Sequence, residues 1–517
     1  MIPLMSLCDK KNLLAVSGLL LVLNGCAPSA GPVDAASVLD RVADDRVQTQ
    51  TAQLPEKPGE KLKLEDALAR AIKYNLDTKV AEMDELIAAD DVSLQMLNTL
   101  PSVTGKIQRQ GRNNAGGSSS FSLLTGMESL QPSISQEQYR NVNQLSAEWN
   151  LLDAGINLWR AKSSTDQVMI AQERRRKVYH SVVQDTYTAY WRAAVAQTAI
   201  PEINTLLGNI DKQINNIDEQ VKQGLVPLGT AQSARTQLLE RRMQLTRMRH
   251  GMALADVELK TLISYPLDQP LTLDLENQNP MRAKTLPSIK GKMEEFEKTA
   301  FVNRPEVREE ILNKRISTRD IKMSLLETIP GIDLLFSYNY DSNKYLVENT
   351  WIDGIVGLTA TINKIITAPA RYSRAKNVDL LADKRRQALV AAVVTQIYVS
   401  KARYDSLSYE YAEQDKNSKN ADAVLKRAKN YNDAGLMSKA ELLNVSIDSS
   451  IADINTALAY SDAQDAYGRF ITTLGVDLWD ADDAGLGVPD FAHQIRKNLD
   501  SSDIFLTSGL EQKKVVP

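Results

Sequence analysis

Two cysteines in 517 residues leave no material for a disulfide framework. Cys8 and Cys26 both precede the body of the chain, so the fold is expected to hold by burial and assembly. Histidine is almost as scarce: His180, His250 and His493 stand far apart without metal-ligand spacing and read as surface or packing residues. Neither charge sign dominates, since 61 basic residues face 65 acidic ones. The formal charge of −4 speaks against a nucleic-acid binder held by a basic field. The short clusters Arg174-Arg-Arg-Lys177 and Arg241-Arg242 read instead as solvated helix faces or pairing between helices. No P-loop, dinucleotide fingerprint or nucleophile elbow occurs, so no enzyme, catalytic residue, metal or cofactor is expected. Leu13 to Leu23 is apolar, but too short to span a membrane as a helix.

That run follows Lys10 and Lys11 and leads into Leu23-Asn-Gly-Cys26, which resembles a bacterial lipobox. The resemblance implies removal of residues 1–25 and a lipid on Cys26, and Ala27 after it favours the outer membrane. Residues 26–61, rich in Pro, Gly, Ala, Asp and Gln, read as a lipid-anchored tether or extended strap.

What is present is a doubling. Leu97-Asn-Thr-Leu-Pro101 and Leu326-Glu-Thr-Ile-Pro330 each end a helical pattern and open an alternating one, 229 residues apart. Proline fixes φ, lacks an N–H and disfavours helix before it, so each helix must stop there. The first repeat is assigned to 62–275, a connector to 276–293, the second repeat to 294–476 and a tail to 477–517.

Each repeat carries one predicted hairpin, with strands at about 102–110 and 143–152, then about 331–341 and 350–363. Ile332, Leu334, Phe336, Tyr338 and Tyr340 alternate with a mostly polar set. Such alternation suits a sheet on a soluble core or a membrane barrel with a wet lumen. The runs approach the 9–11 residues of a tilted membrane strand, which favours the second. Arg109 shares parity with Val103 and Ile107, and at mid-membrane would cost roughly 2–4 kcal/mol, so it is placed near the far rim. Trp149, Tyr338 and Tyr340 look like interfacial aromatics. Four strands cannot close a membrane barrel, and open edges are not tolerated in lipid, so copies must combine.

Helical hairpins are expected at about 157–262 and 370–474. Ile203, Leu207, Ile210, Ile214, Ile217 and Val221 form a seam of period 3.5, with Pro201 expected to kink it at about 3 kcal/mol. Such long pairs need neighbours on both flanks, which points to a ring.

Ala71-Ile-Lys-Tyr-Asn75, Ala300-Phe-Val-Asn-Arg-Pro305, the two proline switches, Trp149-Asn-Leu-Leu-Asp-Ala-Gly155 and the breaks starting at Gly224 and Gly435 recur in doubled order. In this the chain resembles the TolC-type outer-membrane factor family, from about residue 62 to 476. The resemblance implies a mainly α fold with transmembrane β: a homotrimer whose twelve-stranded β-barrel joins a periplasmic α-helical tunnel. It implies an exit duct for efflux or type I secretion, partnered by a periplasmic adaptor, an inner-membrane RND or ABC transporter and outer-membrane lipid. Thr230, Ser233, Glu441 and Asn444 match the periplasmic gate, and Gly224, Leu225, Gly435 and Leu436 match the hairpin tips offered to an adaptor. Glu441 is the one carboxylate of the four gate positions, and three copies would form a negative ring. Ser438-Lys-Ala-Glu441 also reads as a plain capping box. The competing class is a lipid-anchored periplasmic coiled-coil spacer or adaptor with its hairpins in a soluble sheet.

Overall fold

The structure, a computed structural model, describes residues 35–52, 61–128, 131–275, 279–281, 285–479 and 486–500. The chain divides into two units between Lys57 and Pro58. In the first, helix α1 (Ala35–Ala52) is exposed wherever its side chains are described. This corrects the expectation of an extended strap. The stretch contains no Gly or Pro and holds four alanines, a composition compatible with helix, and its apolar Val38, Leu39, Val42 and Val47 are exposed. The leader and the lipidation candidate Cys26 lie outside the described residues.

The second unit runs α2 (Leu64–Tyr74), α3 (Leu76–Leu97), β1 (Ser102–Gly111), β2 (Gly117–Ser118), β3 (Ser133–Ile134), β4 (Tyr139–Asn150), α4 (Leu151–Lys222), α5 (Leu228–Met252) and α6 (Ala255–Leu262). It continues with α7 (Met293–Asn303), α8 (Pro305–Leu326), β5 (Gly331–Asp341), β6 (Thr350–Thr359), α9 (Ile362–Asp433), α10 (Lys439–Thr473) and α11 (Val488–Asp500). The starts of α2 and α7, of α3 and α8, and of β1 and β5 are all 229 apart. After the hairpins the offset becomes 211: α4 and α9 are each 72 residues long, and α5 and α10 begin in step. The change is absorbed at the ends of the hairpins, where the loop at 112–138 is far longer than the one at 342–349.

Both prolines act as expected, each following a helix and preceding a strand. The long helices, however, start earlier than the sequence suggests. Asn150 ends β4 and caps α4 at once, its side chain accepting from the Asp153 N–H at 2.8 Å. Pro201 does not end α4, which runs on through it, and α9 likewise contains Pro369. The break comes instead at 253–254, beside Gly251, where helix is weakest. The second repeat has no such break in α10.

Every level of this unit has the same lateral order. The main sheet is antiparallel throughout, ordered β1-β4-β5-β6. Below it α4 lies between α3 and α8, and lower still between α5 and α10, while α9 packs on α8 and α10. The result is a curtain of four columns. One lateral edge carries β1, α3 and α5, and the other β6 and α9.

Seams of small and branched residues hold the columns together. In α5, Ala231, Leu238, Leu245 and Met252 are buried at seven-residue intervals against Ile203, Ile210, Ile214 and Ile217 of α4. Leu206 is buried in α4, and the expected seam residue Leu207 is only half-buried. At mid-height α2 brings Ala67, Leu68 and Ala71 onto Ala189, Ala193 and Ala196, and small side chains allow this close approach. Helix α11 of the tail closes over α2 with Phe491 and Ile495. The turn leading to it requires Gly475, at φ +70°, where a Cβ would stand 2.8 Å from the Arg304 backbone.

Candidate functional site

The sheet sorts its side chains by face. Register places Val103, Ala147, Phe336 and Gly354 on one rung and Gly105, Leu145, Tyr338 and Ile352 on another, all on one face. Thr104, Ser146, Ser337 and Asp353 share the opposite face. The polar face satisfies itself: Asn339 donates to Ser337 Oγ and Asp353 Oδ2, both at 2.9 Å, and Arg140 pairs with Asp341 at 2.6 Å. No described residue covers the apolar face, where Ile107, Leu145, Phe336, Ile352 and Leu358 are all exposed. Arg109 sits near the end of the sheet remote from the helices, opposite Asn141. At the helix end Trp149 donates its indole N–H to Thr99 O at 3.0 Å. Among the described residues no helix is long and apolar enough to cross a membrane.

Salt links tie the columns laterally. The cations of the Arg174 cluster separate to different partners: Arg174 to Glu309, Arg175 to Glu85, Arg176 to Asp477 and Lys177 to Glu306. Asp166, buried on α4, accepts from both Arg315 and Arg319 of α8. Asp477 accepts from Arg176 Nε at 2.8 Å and lies 2.8 Å from His180 Nε2. Burial raises the Asp477 carboxyl, but His180 and Arg176 outweigh it and hold the group below its ordinary range. His250 and His493 are exposed, and among the described residues no cluster suits a metal ion.

At the opposite end from the sheet, the two hairpin turns repeat one geometry. Gly224 (φ +68°) and Gly435 (φ +74°) each occupy the left-handed position of a Schellman stop. Leu225 N–H donates to Gln220 O at 2.9 Å and Leu436 N–H to Tyr431 O at 2.8 Å. Both leucines are exposed. Thr230 and Ser233 lie exposed on the first turns of α5, and Glu441 and Asn444 occupy the matching turns of α10, Asn444 half-buried. The capping box forms in full, with Ser438 N–H donating to Glu441 Oε2 at 3.0 Å and Glu441 N–H to Ser438 Oγ at 3.2 Å. The Ser438 backbone N–H, and then its hydroxyl, hold Glu441 below the ordinary glutamate range. Within one chain the four gate positions are not gathered into a cluster. Arg241, of the second basic cluster, links α5 to α10 by pairing with Asp448, including Nη2 to Oδ2 at 3.1 Å.

Residues 67–264 match the outer membrane efflux protein family. No curated protein sequence matches the chain. Solved structures share its fold. CusC aligns with a TM-score of 0.61 at 15% identity, over 82% of this chain and 96% of its own. The Campylobacter jejuni outer membrane channel CmeC gives 0.60 at 15% identity, over 85% and 90%. The open state of the Neisseria gonorrhoeae outer membrane channel MtrE gives 0.60 at 18%, over 80% and 88%. The family and these structural relatives are channels rather than enzymes.

Proposed function

From a chain whose residues 67–264 match the outer membrane efflux protein family, and of which more than four-fifths folds as the outer membrane channel CmeC does, we propose the duct of a tripartite efflux or type I secretion system. Three copies would stand in the outer membrane of a Gram-negative bacterium, anchored by lipid at Cys26. The observation that carries this reading is the curtain itself. A sheet with one uncovered apolar face and two open edges is unstable in water or lipid until its edges meet others. The β6/α9 edge and the β1/α3/α5 edge differ, so closure is head to tail and generates a ring. Two copies would give eight strands with a filled interior, and three give twelve with room for a pore. The exposed apolar residues on the edge helices, among them Met83 and Ile87 on α3 and Tyr398 and Tyr409 on α9, then find partners in the next copy.

The polar face becomes the lumen and the apolar face meets lipid. The tips with Leu225 and Leu436 are the docking points for a periplasmic adaptor, which links the duct to an RND or ABC pump in the inner membrane. Thr230, Ser233, Glu441 and Asn444 line the periplasmic aperture, where three Glu441 carboxylates form a ring that favours cations. The test is extraction of the full chain from outer membranes. A heat-modifiable trimer that gives discrete conductance steps in planar bilayers supports the duct. Release by mild salt or urea as a protein without conductance would instead indicate the periplasmic spacer.

A further inference from the structure

At the sheet end remote from the helices, the long loop closes in an ordered turn. Ser122 N–H donates to Met127 O and Gly126 N–H to Ser122 O, both at 3.0 Å, and Phe121 bridges Glu128. This turn presents Leu123 and Leu124 at 95% and 99% exposure, flanked by exposed Phe121 and Met127. No charged residue occurs from Asn113 to Met127. Four large apolar side chains held out together by a fixed backbone mark an interaction surface rather than scattered surface hydrophobes. Their two neighbouring limbs are stiffened by the β2-β3 ladder.

The base of the loop shows which way it leans. Asp341 lies on the polar face of the sheet, on a rung with Val142 and Gln108. Asn343, two residues on, is only 2% exposed because the returning limb of the loop covers it. It accepts from Glu137 N–H at 3.1 Å and donates Nδ2–H to Ser135 O at 2.9 Å, while its own N–H donates to Asp341 Oδ1 at 3.0 Å. Glu137 in turn accepts from Lys344 N–H at 3.2 Å. The limb is thus pinned to the polar-face side, towards the bore and away from surrounding lipid. A twelve-stranded barrel has a radius on the order of 12 Å, given strands about 4.8 Å apart and tilted about 40°. The 27 residues of 112–138 exceed what is needed to reach its axis.

We propose that the three copies of this turn meet one another over the outer mouth and form an apolar plug that closes the duct against passive entry. The occupant of each Phe121-Leu123-Leu124-Met127 surface is therefore the same surface on the other two copies. This rests on the trimeric duct proposed above. The second hairpin, with only 342–349 between its strands, cannot contribute a comparable cover.

The test compares the parent chain with the double variant Leu123→Ser/Leu124→Ser in planar bilayers, and oxidises Leu124→Cys in isolated outer membranes with copper phenanthroline. The plug predicts a several-fold rise in open probability for the double variant, with trimer heat-modifiability unchanged. It also predicts a reductant-sensitive dimer of Leu124→Cys that the parent does not form. An intact trimer with unchanged gating and no cross-link overturns the plug and leaves the duct standing. Quenching of a fluorophore on Leu124→Cys by lipid-borne quenchers would likewise overturn it by placing the turn in the outer leaflet. Absence of the trimer on the heat-modifiability gel overturns the duct itself, and the plug with it.

Discussion

Glu441 serves as a cap in the single chain and, in the proposed trimer, would also belong to the aperture ring. Its cap lowers the carboxyl pKa below the usual 4.5, so the charge persists through neutral and mildly acidic conditions. The cation preference of the pore is accordingly expected to be the same at pH 7 and pH 5, and to disappear in Glu441→Gln. Glutamine still serves a capping box, so helix stability should hardly change. Unchanged ion selectivity in that variant would reduce Glu441 to a cap. Asp166 behaves differently, because its loss leaves Arg315 and Arg319 without their shared acceptor. Both arginines reach solvent, which limits the cost of Asp166→Ala to about 1–3 kcal/mol, read as a lower trimer dissociation temperature. Asp477 sets an acid limit. Its folded pKa lies below the ordinary 3.8, so its contribution is fully present above that value and fades as pH falls through the lower one. Denaturation scans of Asp477→Asn and parent should therefore differ at pH 7 and converge in strong acid. The Glu441 cap was legible in the sequence, but the partnerships of Asp166 and Asp477 were not, since those residues are 149 to 301 positions apart and share no motif. For the Arg174 cluster the sequence left a solvated face and pairing between helices both open, and the four adjacent cations, pointing in several directions, take partners on α3, on α8 and after α10.

Among elements, legibility followed periodicity. The 229 offset matched the end of α3 and the start of β1 to those of α8 and β5, because proline and alternation are both local signals, whereas the break between α2 and α3 at Asn75 was not read. The starts of α4 and α9 were missed by several residues. The strand-like run passes almost directly into helix there, and Leu151, Leu152, Ile362 and Ile365 are apolar residues that either pattern accommodates. The strap was misread because the apolar residues of α1, Val38, Leu39 and Val42, make too short a periodic run to stand out from the surrounding polar composition. Pro201 lies inside α4 without ending it, so a 72-residue helix held by seams on both sides tolerates one lost N–H. Restoring that hydrogen bond should help, so Pro201→Ala is expected to stabilise the helix by about 1–3 kcal/mol, measured by thermal melting of helical circular dichroism. A fall in melting temperature would mean that the proline is required for the course of α4.

For the whole molecule, the governing fact is incompleteness. The strands, the upper helices and the lower helices all stop at the same two edges, and the apolar face and edge residues stay exposed in the single chain. Sequence alone shows four strands and long paired helices, and it takes the lateral order to show that the edges are unlike and aligned. Native mass measurement of the detergent-extracted full chain tests this most directly. The closed wall predicts one dominant species at three times the mass of the processed chain, lost together with conductance on heating. A folded monomer that remains soluble without detergent would contradict it.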